Sequence, residues 1–271
     1  MVLPLAVGAF GALIGSFLNV VVYRLPRGQS LISPASACGH CGHAIRPYDN
    51  IPIVSWLLLG GRCRDCDARI SVRYPLVELG TAVFFGLVAW RFLPSLGASS
   101  DAEFLGSVVE LVAFLFLAAA SLALALIDLE TKRLPNALVM PLYGVLALFF
   151  AAAAGLTGSW DRLAVAGIGM VGLAGTYLAL ALIKPGAMGM GDVKLAGAVG
   201  LALGWLGVPE LLVGAMGGFV LGGVFGIGLL LAGRGRRTAI AYGPWLLGGA
   251  WVGAFAGEPI AQAYLSTFGI T

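Results

Sequence analysis

Stretches of about 20 nearly uninterrupted apolar residues recur roughly eight times along this chain, and that repetition constrains its fold more than any other feature. An α-helix rises only about 1.5 Å per residue, so a run of this length is what crossing the hydrocarbon core of a bilayer demands. From Leu111 to Ile127 no charged residue occurs at all. Charged residues make up 11% of the 271 residues and hydrophobic ones 59%, against roughly 25% charged in a soluble domain, and a soluble fold is thereby excluded. The expected architecture is an all-α polytopic membrane protein with about eight transmembrane helices, at 3–22, 74–93, 105–127, 137–156, 163–183, 194–208, 210–233 and 242–258. The sixth is short and Gly-rich. The first, Leu3 to Tyr23, has no basic region before it and no small-residue cleavage pattern after it, so it is expected to stay as a span and not to act as a signal peptide. Glycine runs such as Gly214 to Gly228 suit close packing between membrane helices.

The basic residues predict orientation. Fourteen of the sixteen Lys and Arg fall in the loops 24–73, 128–136, 184–194 and 234–241: Arg24, Arg27, Arg46, Arg62, Arg64, Arg69, Arg73, Lys132, Arg133, Lys184, Lys194, Arg234, Arg236 and Arg237. Arg91 lies near a helix end and Arg162 at a border, while Asp101, Glu103, Asp161 and Glu210 mark the other loops. The positive-inside rule then puts the long first loop in the cytoplasm and both termini outside. A net charge of +3, spread over short loops, does not suggest a nucleic-acid partner.

All four cysteines lie in that first loop, as Cys38-Gly-His-Cys41 and, after 21 intervening residues, Cys63-Arg-Asp-Cys66. Two C-x-x-C pairs at this separation are a tetrahedral-zinc signal, because each tight turn presents two thiolates and the pairs close the site from opposite sides. Such a site is structural, since four protein thiolates leave no open position for water. The alternatives are a pair of disulfides, a redox C-x-x-C system or unligated thiols. A reducing cytoplasm counts against stable disulfides. His40 and His43, the only histidines, flank Cys41 and are alternative ligands or neighbours of the site. Their position also rules out a Ser-His-Asp triad or Cys-His pair elsewhere in the chain, and no H-E-x-x-H motif occurs. Hydrolytic chemistry would have to rest on carboxylates.

Acids at the edge of a membrane span are costly unless they face a cavity, which makes each a functional candidate. Asp128 ends the apolar run Leu111 to Ile127 and opens the segment Asp128-Leu-Glu-Thr-Lys-Arg-Leu-Pro-Asn136; Asp192 sits in Gly189-Met-Gly-Asp-Val-Lys194, just before the sixth span. The expected topology puts both at the cytoplasmic face. Two carboxylates held close share one proton, and the pair can activate water with one member while the other protonates a carbonyl oxygen or a leaving amine. Gly189 and Gly191 would let a peptide backbone approach Asp192. The G-x-G here is not a phosphate loop, because no Gly-Lys-Ser/Thr follows. The competing reading has Asp128 and Asp192 as helix caps or as partners of Lys132 and Lys194. Glu78 and Glu110 read as hydrogen-bonded packing groups and Glu130 as a loop charge.

Taken together, Gly15-Ser-Phe-Leu-Asn-Val20 with Tyr23-Arg-Leu-Pro26, the cysteine pairs, Asp49-Asn-Ile-Pro52 with Ser55-Trp-Leu57, Ile70 to Leu79, Asp128 to Asn136 and Gly189 to Leu195 make the chain similar over nearly its whole length to bifunctional type IV prepilin peptidases. That resemblance implies that Asp128 and Asp192 are the catalytic pair of an intramembrane aspartic protease, with Gly189, Gly191 and Lys194 in the supporting loop. It implies prepilins or pseudopilins as substrates, cut after Gly at the cytoplasmic face of the bacterial inner membrane. It further implies S-adenosylmethionine-dependent N-methylation by the N-terminal half. Asn19, Arg24, Asp49, Asn50 and Glu78 are the polar positions in the matching motifs available for the cofactor or the amine. The chain departs from the family pattern at Cys-Gly-His-Cys, where Cys-Pro-x-Cys is frequent, and at Tyr242-Gly-Pro-Trp245, where Phe-Gly-Pro-Phe is common. The expected domains are a first helix (1–23), a cytoplasmic zinc knuckle and methyltransferase loop (24–73), helices two and three (74–127) and a protease membrane core (128–271). Two other functions compete with this one. A non-enzymatic scaffold or transporter would use the zinc knuckle to dock a partner, and a thiol oxidoreductase would cycle the cysteines.

Overall fold

The structure is a computed structural model, described here for residues 2–92, 100–184, 188–233 and 241–269. Among these residues there are nine α-helices and no strand beyond two isolated bridges. The chain divides into two compact units, residues 1–93 and 94–271.

In the first unit, α1 (Val2–Arg24) packs along α3 (Arg73–Phe92), with the five-residue α2 (Val54–Leu58) between them in sequence. The α1 face toward α3 is built from Gly8, Gly11 and Gly15, spaced three and four apart and all buried. A Cβ on Gly15 would stand 2.7 Å from the Glu78 Cα, so the two backbones meet there. The segment between α1 and α2 opens with a 3₁₀ turn at Leu25–Arg27 and carries a second at Pro47–Asn50. Antiparallel bridges Ala37–Ala44 and Arg62–Arg69 close two similar tight turns, one around each C-x-x-C.

The second unit is a bundle of α4 (Asp101–Thr131), α5 (Asn136–Thr157), α6 (Trp160–Ile183), α7 (Met190–Leu206), α8 (Val208–Leu231) and α9 (Gly243–Ser266). Its centre is α7. Every residue from Leu195 to Trp205 is buried, with α5, α6, α8 and α9 packed around it. The packing of α6 on α7 leaves no room for side chains at the crossing: a Cβ on Gly200 would collide with the backbone carbonyl of Gly169, and one on Gly169 would stand 2.5 Å from the Gly200 oxygen. Within the run Gly214 to Gly228, Gly214, Gly217, Gly218 and Gly222 press on α7 or on the α9 region in the same way, whereas Gly223 and Gly228 face open space.

Six helices, α1, α3, α4, α5, α6 and α8, are long and apolar enough to cross a membrane. With 17 residues α7 is short for a span, and α9 is not among the six. The helix expected at 105–127 runs longer at both ends. Ser100 accepts the Glu103 N–H to start it, and Lys132, in a left-handed conformation at φ 53°, stops it. As a result Asp128 lies inside the last turn of a helix. Likewise α7 starts at Met190, not 194, which puts Asp192 in its first turn. The basic loop residues Arg234, Arg236 and Arg237 lie outside the described residues.

At the end of the bundle away from Asp128, Arg162 of α6 donates to both carboxylate oxygens of Glu110 on α4, at 3.0 and 3.3 Å. Its Nε bonds the Trp205 carbonyl at the end of α7 (3.0 Å), and its guanidinium lies over the Trp205 ring. The same ring stacks on Phe150 of α5, centroids 4.8 Å apart. Glu110 is therefore a paired group, and one arginine satisfies a C-terminal carbonyl of α7 that the helix cannot.

Candidate functional site

Two groups of reactive side chains stand out, one in each unit. In the second unit both acids sit where a helix N-terminus offers them an N–H. Asp128, on the last turn of α4, is 4% exposed, and its Oδ2 accepts the N–H of Gly243 at 2.9 Å. Gly243 is the first residue of α9, so this carboxylate lies against the positive end of that helix. Asp192 is the third residue of α7; its Oδ2 accepts the Gly189 N–H at 3.2 Å. The capping alternative is thus correct for Asp192 as far as one oxygen goes. Among the described residues no hydrogen bond to Oδ1 of either acid is present, which leaves that oxygen of each for water or substrate.

The pairing alternative with lysine does not hold. Lys194 Nζ goes to Asn136 Oδ1 (3.1 Å), and the Lys194 carbonyl accepts the Tyr143 hydroxyl. Lys132 serves α4 through its backbone N–H, bonded to the Asp128 carbonyl at 2.8 Å. Neither acid forms an ion pair among the described residues. The two carboxylates are within electrostatic reach of each other. Leu134 lies between their surroundings: a Cβ at Gly191 would come within 3.1 Å of it and one at Gly243 within 3.2 Å, while the latter would also meet Asp128 Oδ2 at 2.9 Å. Glycine at 243 is what lets that carboxylate reach the backbone. Tyr177 of α6 and Tyr242, just before α9, bond hydroxyl to hydroxyl at 3.0 Å, and both phenols are within electrostatic reach of Asp192. Sequence reasoning passed over both tyrosines and Gly243 as site residues. The adjacent hydroxyls of Thr176 and Tyr177 inside an apolar span were the available signal.

In the first unit the sulfurs of Cys38, Cys41, Cys63 and Cys66 all lie within 4.8 Å of one another, and no disulfide joins them. Each pair sits on the same kind of turn. Cys38 N bonds the His43 carbonyl and Gly42 N the Cys38 carbonyl; Cys63 N bonds the Ala68 carbonyl and Asp67 N the Cys63 carbonyl. The residue after each second cysteine, Gly42 at φ 72° and Asp67 at φ 54°, is left-handed. The Cys38–Cys66 sulfur separation of 3.8 Å matches the edge, about 3.8 Å, of a tetrahedron with metal–sulfur bonds of about 2.3 Å. Neither histidine belongs to the group. The backbone N–H groups of Cys41 and then His40 lower the Cys38 thiol to about 6. At Cys66 the Ala68 N–H pulls the same way but is outweighed, and burial with the three neighbouring sulfurs pushes the thiol up to about 12. Four thiolates cannot share this space without a cation.

The five polar positions considered for a cofactor are mostly occupied. Asn19 Nδ2 donates to the Tyr74 carbonyl (3.2 Å), and Arg24 donates to the carbonyls of Ser30 and Pro34. Asp49 is gripped by both arms of Arg64, whose guanidinium holds its carboxyl below the usual carboxylate range. Buried Glu78 accepts the Ile53 N–H at 2.7 Å and also meets Ser16. Ile53 has φ 63° and ψ −51°, and Val54 N closes onto the Pro52 carbonyl at 2.6 Å. This is the strained, positive-φ form of the γ-turn, here on a β-branched residue. Glu78 therefore clamps a strained backbone. Asn50 is exposed and makes no side-chain hydrogen bond among the described residues.

Two protein-family descriptions match the chain: the bacterial peptidase A24 N-terminal domain over residues 9–92 and the type IV leader peptidase family over residues 115–231. Among curated proteins, a prepilin leader peptidase/N-methyltransferase of Pseudomonas aeruginosa is 37% identical over 287 aligned residues, covering 96% of this chain and 92% of that protein. Proteins of the same name from Aeromonas salmonicida (37%, 95% and 92%) and Neisseria gonorrhoeae (36%, 96% and 92%) are similar over comparable lengths. No solved structure matches the chain.

Proposed function

The chain belongs to the type IV leader peptidase family, and we propose on that premise that it cleaves the leader from type IV prepilins or pseudopilins and methylates the amine so released. The observation that carries the cleavage half is the placing of Asp128 and Asp192, each with one oxygen on a helix N-terminus and the other without a protein partner. In the proposed mechanism the pair holds one proton between them. The ionised member takes a proton from a water molecule as that water attacks the scissile carbonyl, and the protonated member donates to the carbonyl oxygen. Collapse of the tetrahedral diol returns a proton to the leaving amine. The N–H groups of Gly243 and Gly189 each hold one oxygen of an acid in place. Gly189 keeps a side chain away from Asp192 Oδ2 and Gly191 makes room for Leu134 beside it, and Lys194, tied to Asn136, stays clear of the acids.

The six apolar helices make the chain multi-pass. Adding α7 and α9 gives eight spans. With the basic residues of the loops counted inside, the dyad faces the cytoplasm across the bacterial inner membrane. We assign the four-cysteine group to a structural zinc ion, on its donor set and its sulfur spacing. For methylation, S-adenosylmethionine supplies the methyl group to the neutral amine. Asn50, exposed and without a protein partner, is the residue of the five best able to meet the cofactor or the amine, while Glu78 and Asp49 act by holding the 47–58 segment in shape.

The test is co-expression with a model prepilin, with leader loss and N-terminal methylation read by mass spectrometry. Wild type is expected to yield cleaved, methylated product, and Asp128→Asn and Asp192→Asn uncleaved precursor at normal membrane levels. Cleavage by both variants at the wild-type rate would sink the dyad.

A further inference from the structure

Beside the two acids lies a pair of groups that the proposed mechanism does not use. Tyr177 is completely buried in α6, and its hydroxyl meets that of Tyr242 at 3.0 Å. Phe219 of α8 packs on both rings, 5.2 and 6.3 Å between centroids, and the missing side chain of Gly222 makes room for the Tyr242 ring, since a Cβ there would come within 2.8 Å of it. The ring of Tyr242 is thus held from α6 and α8 at once. Its backbone is the last residue before α9, and the next peptide N–H, that of Gly243, is the donor to Asp128 Oδ2. A rotation of Tyr242 would carry that N–H with it.

We propose that the Tyr177–Tyr242 hydroxyl pair is a positioning element of the aspartic dyad: it locks the start of α9 so that the Gly243 N–H stays on Asp128. This rests on the cleavage reading above. The two phenols also stand within electrostatic reach of Asp192.

A purely packing role makes a different prediction. Two buried hydroxyls that only satisfy each other can be replaced together by Phe at little cost to stability, whereas removing one strands the other. The double variant Tyr177→Phe/Tyr242→Phe therefore separates the two roles. We expect its melting temperature in detergent to match wild type while kcat for prepilin cleavage falls about tenfold, with KM unchanged. Tyr242→Phe alone should show the same kcat, so that the two changes do not add. Wild-type kcat in the double variant overturns the proposal, as does a loss of activity matched by loss of the folded protein. Asp128→Asn assayed alongside distinguishes the failures: if that variant still cleaves, the dyad reading falls as well, and if it is dead while the double variant is unimpaired, only the tyrosines lose their role.

Discussion

The cysteine turns and the aspartate bundle hold their reactive groups by opposite means. Around Cys38 and Cys63 the geometry is local: a bridge, two backbone hydrogen bonds and one left-handed residue shape each turn. Little apolar surface is buried there, and the proposed zinc ion would hold the two turns together. Asp128 and Asp192 are 64 positions apart and come within electrostatic reach through helix packing, in which glycines let α6 meet α7 and α8 meet α9 backbone to backbone. The proposed zinc ion would close the one site. Close-packed backbone closes the other, and in a bilayer, where helices gain nothing from further escape from water, such packing is the main attraction available.

That contrast can be broken by experiment. The largest effect is expected from Gly200→Val. Its side chain meets the Gly169 carbonyl, which cannot move without shifting α6, and the cost is on the order of 3 kcal/mol. Cleavage should be lost and the detergent melting point lowered, with the metal content of the purified protein unchanged; joint loss of metal and cleavage would show that the units do not stand apart. Next comes Cys63→Ser. Metal analysis should find the ion gone and mass spectrometry should find methylation gone, while leader cleavage stays close to wild type. If cleavage falls in step with methylation, the cysteine turns serve both activities.

The smallest effect sharpens the likeness between the two turns. Gly42 holds the position that Asp67 holds in the other turn, at a similar φ. Gly42→Asp should cost about 1 kcal/mol and keep the metal, because Asp tolerates the left-handed region better than most residues. Gly42→Val should cost more, and chelator competition would rank the two. Equal behaviour of Asp and Val at 42 would mean that the backbone there is free to relax.

What could be read before the structure followed from strong physical demands. Lipid forces long apolar runs, so the helices were visible, and tetrahedral sulfur chemistry forces C-x-x-C turns, so the four cysteines were visible as one group. Asp128 and Asp192 were recognisable as costly acids at the ends of spans. Their coming within electrostatic reach of each other was not, because apolar periodicity does not fix the register between helices far apart in sequence. Ile53 gave no sign at all: nothing in Ile-Pro-Ile marks a positive φ, which depends on a carboxylate 25 residues away. Glu78 read both as a hydrogen-bonded packing group and as a position open to a cofactor, and its bond to the Ile53 N–H agrees with the first. The start of α7 was placed four residues late because Gly189 and Asp192 look like loop residues until the cap between them is seen.

The Arg162–Glu110 pair has a consequence for how the protein is made. Glu110 arrives with α4, and the arginine that neutralises it arrives only with α6, two helices later. Until then a lone carboxylate waits near the membrane, costly enough to favour keeping α4 loosely seated. Closing the pair also delivers the arginine to the last carbonyl turn of α7, so the contact forms only once three separately inserted helices have found one another. It works as a latch on assembly, the point at which a half-built chain becomes a finished one.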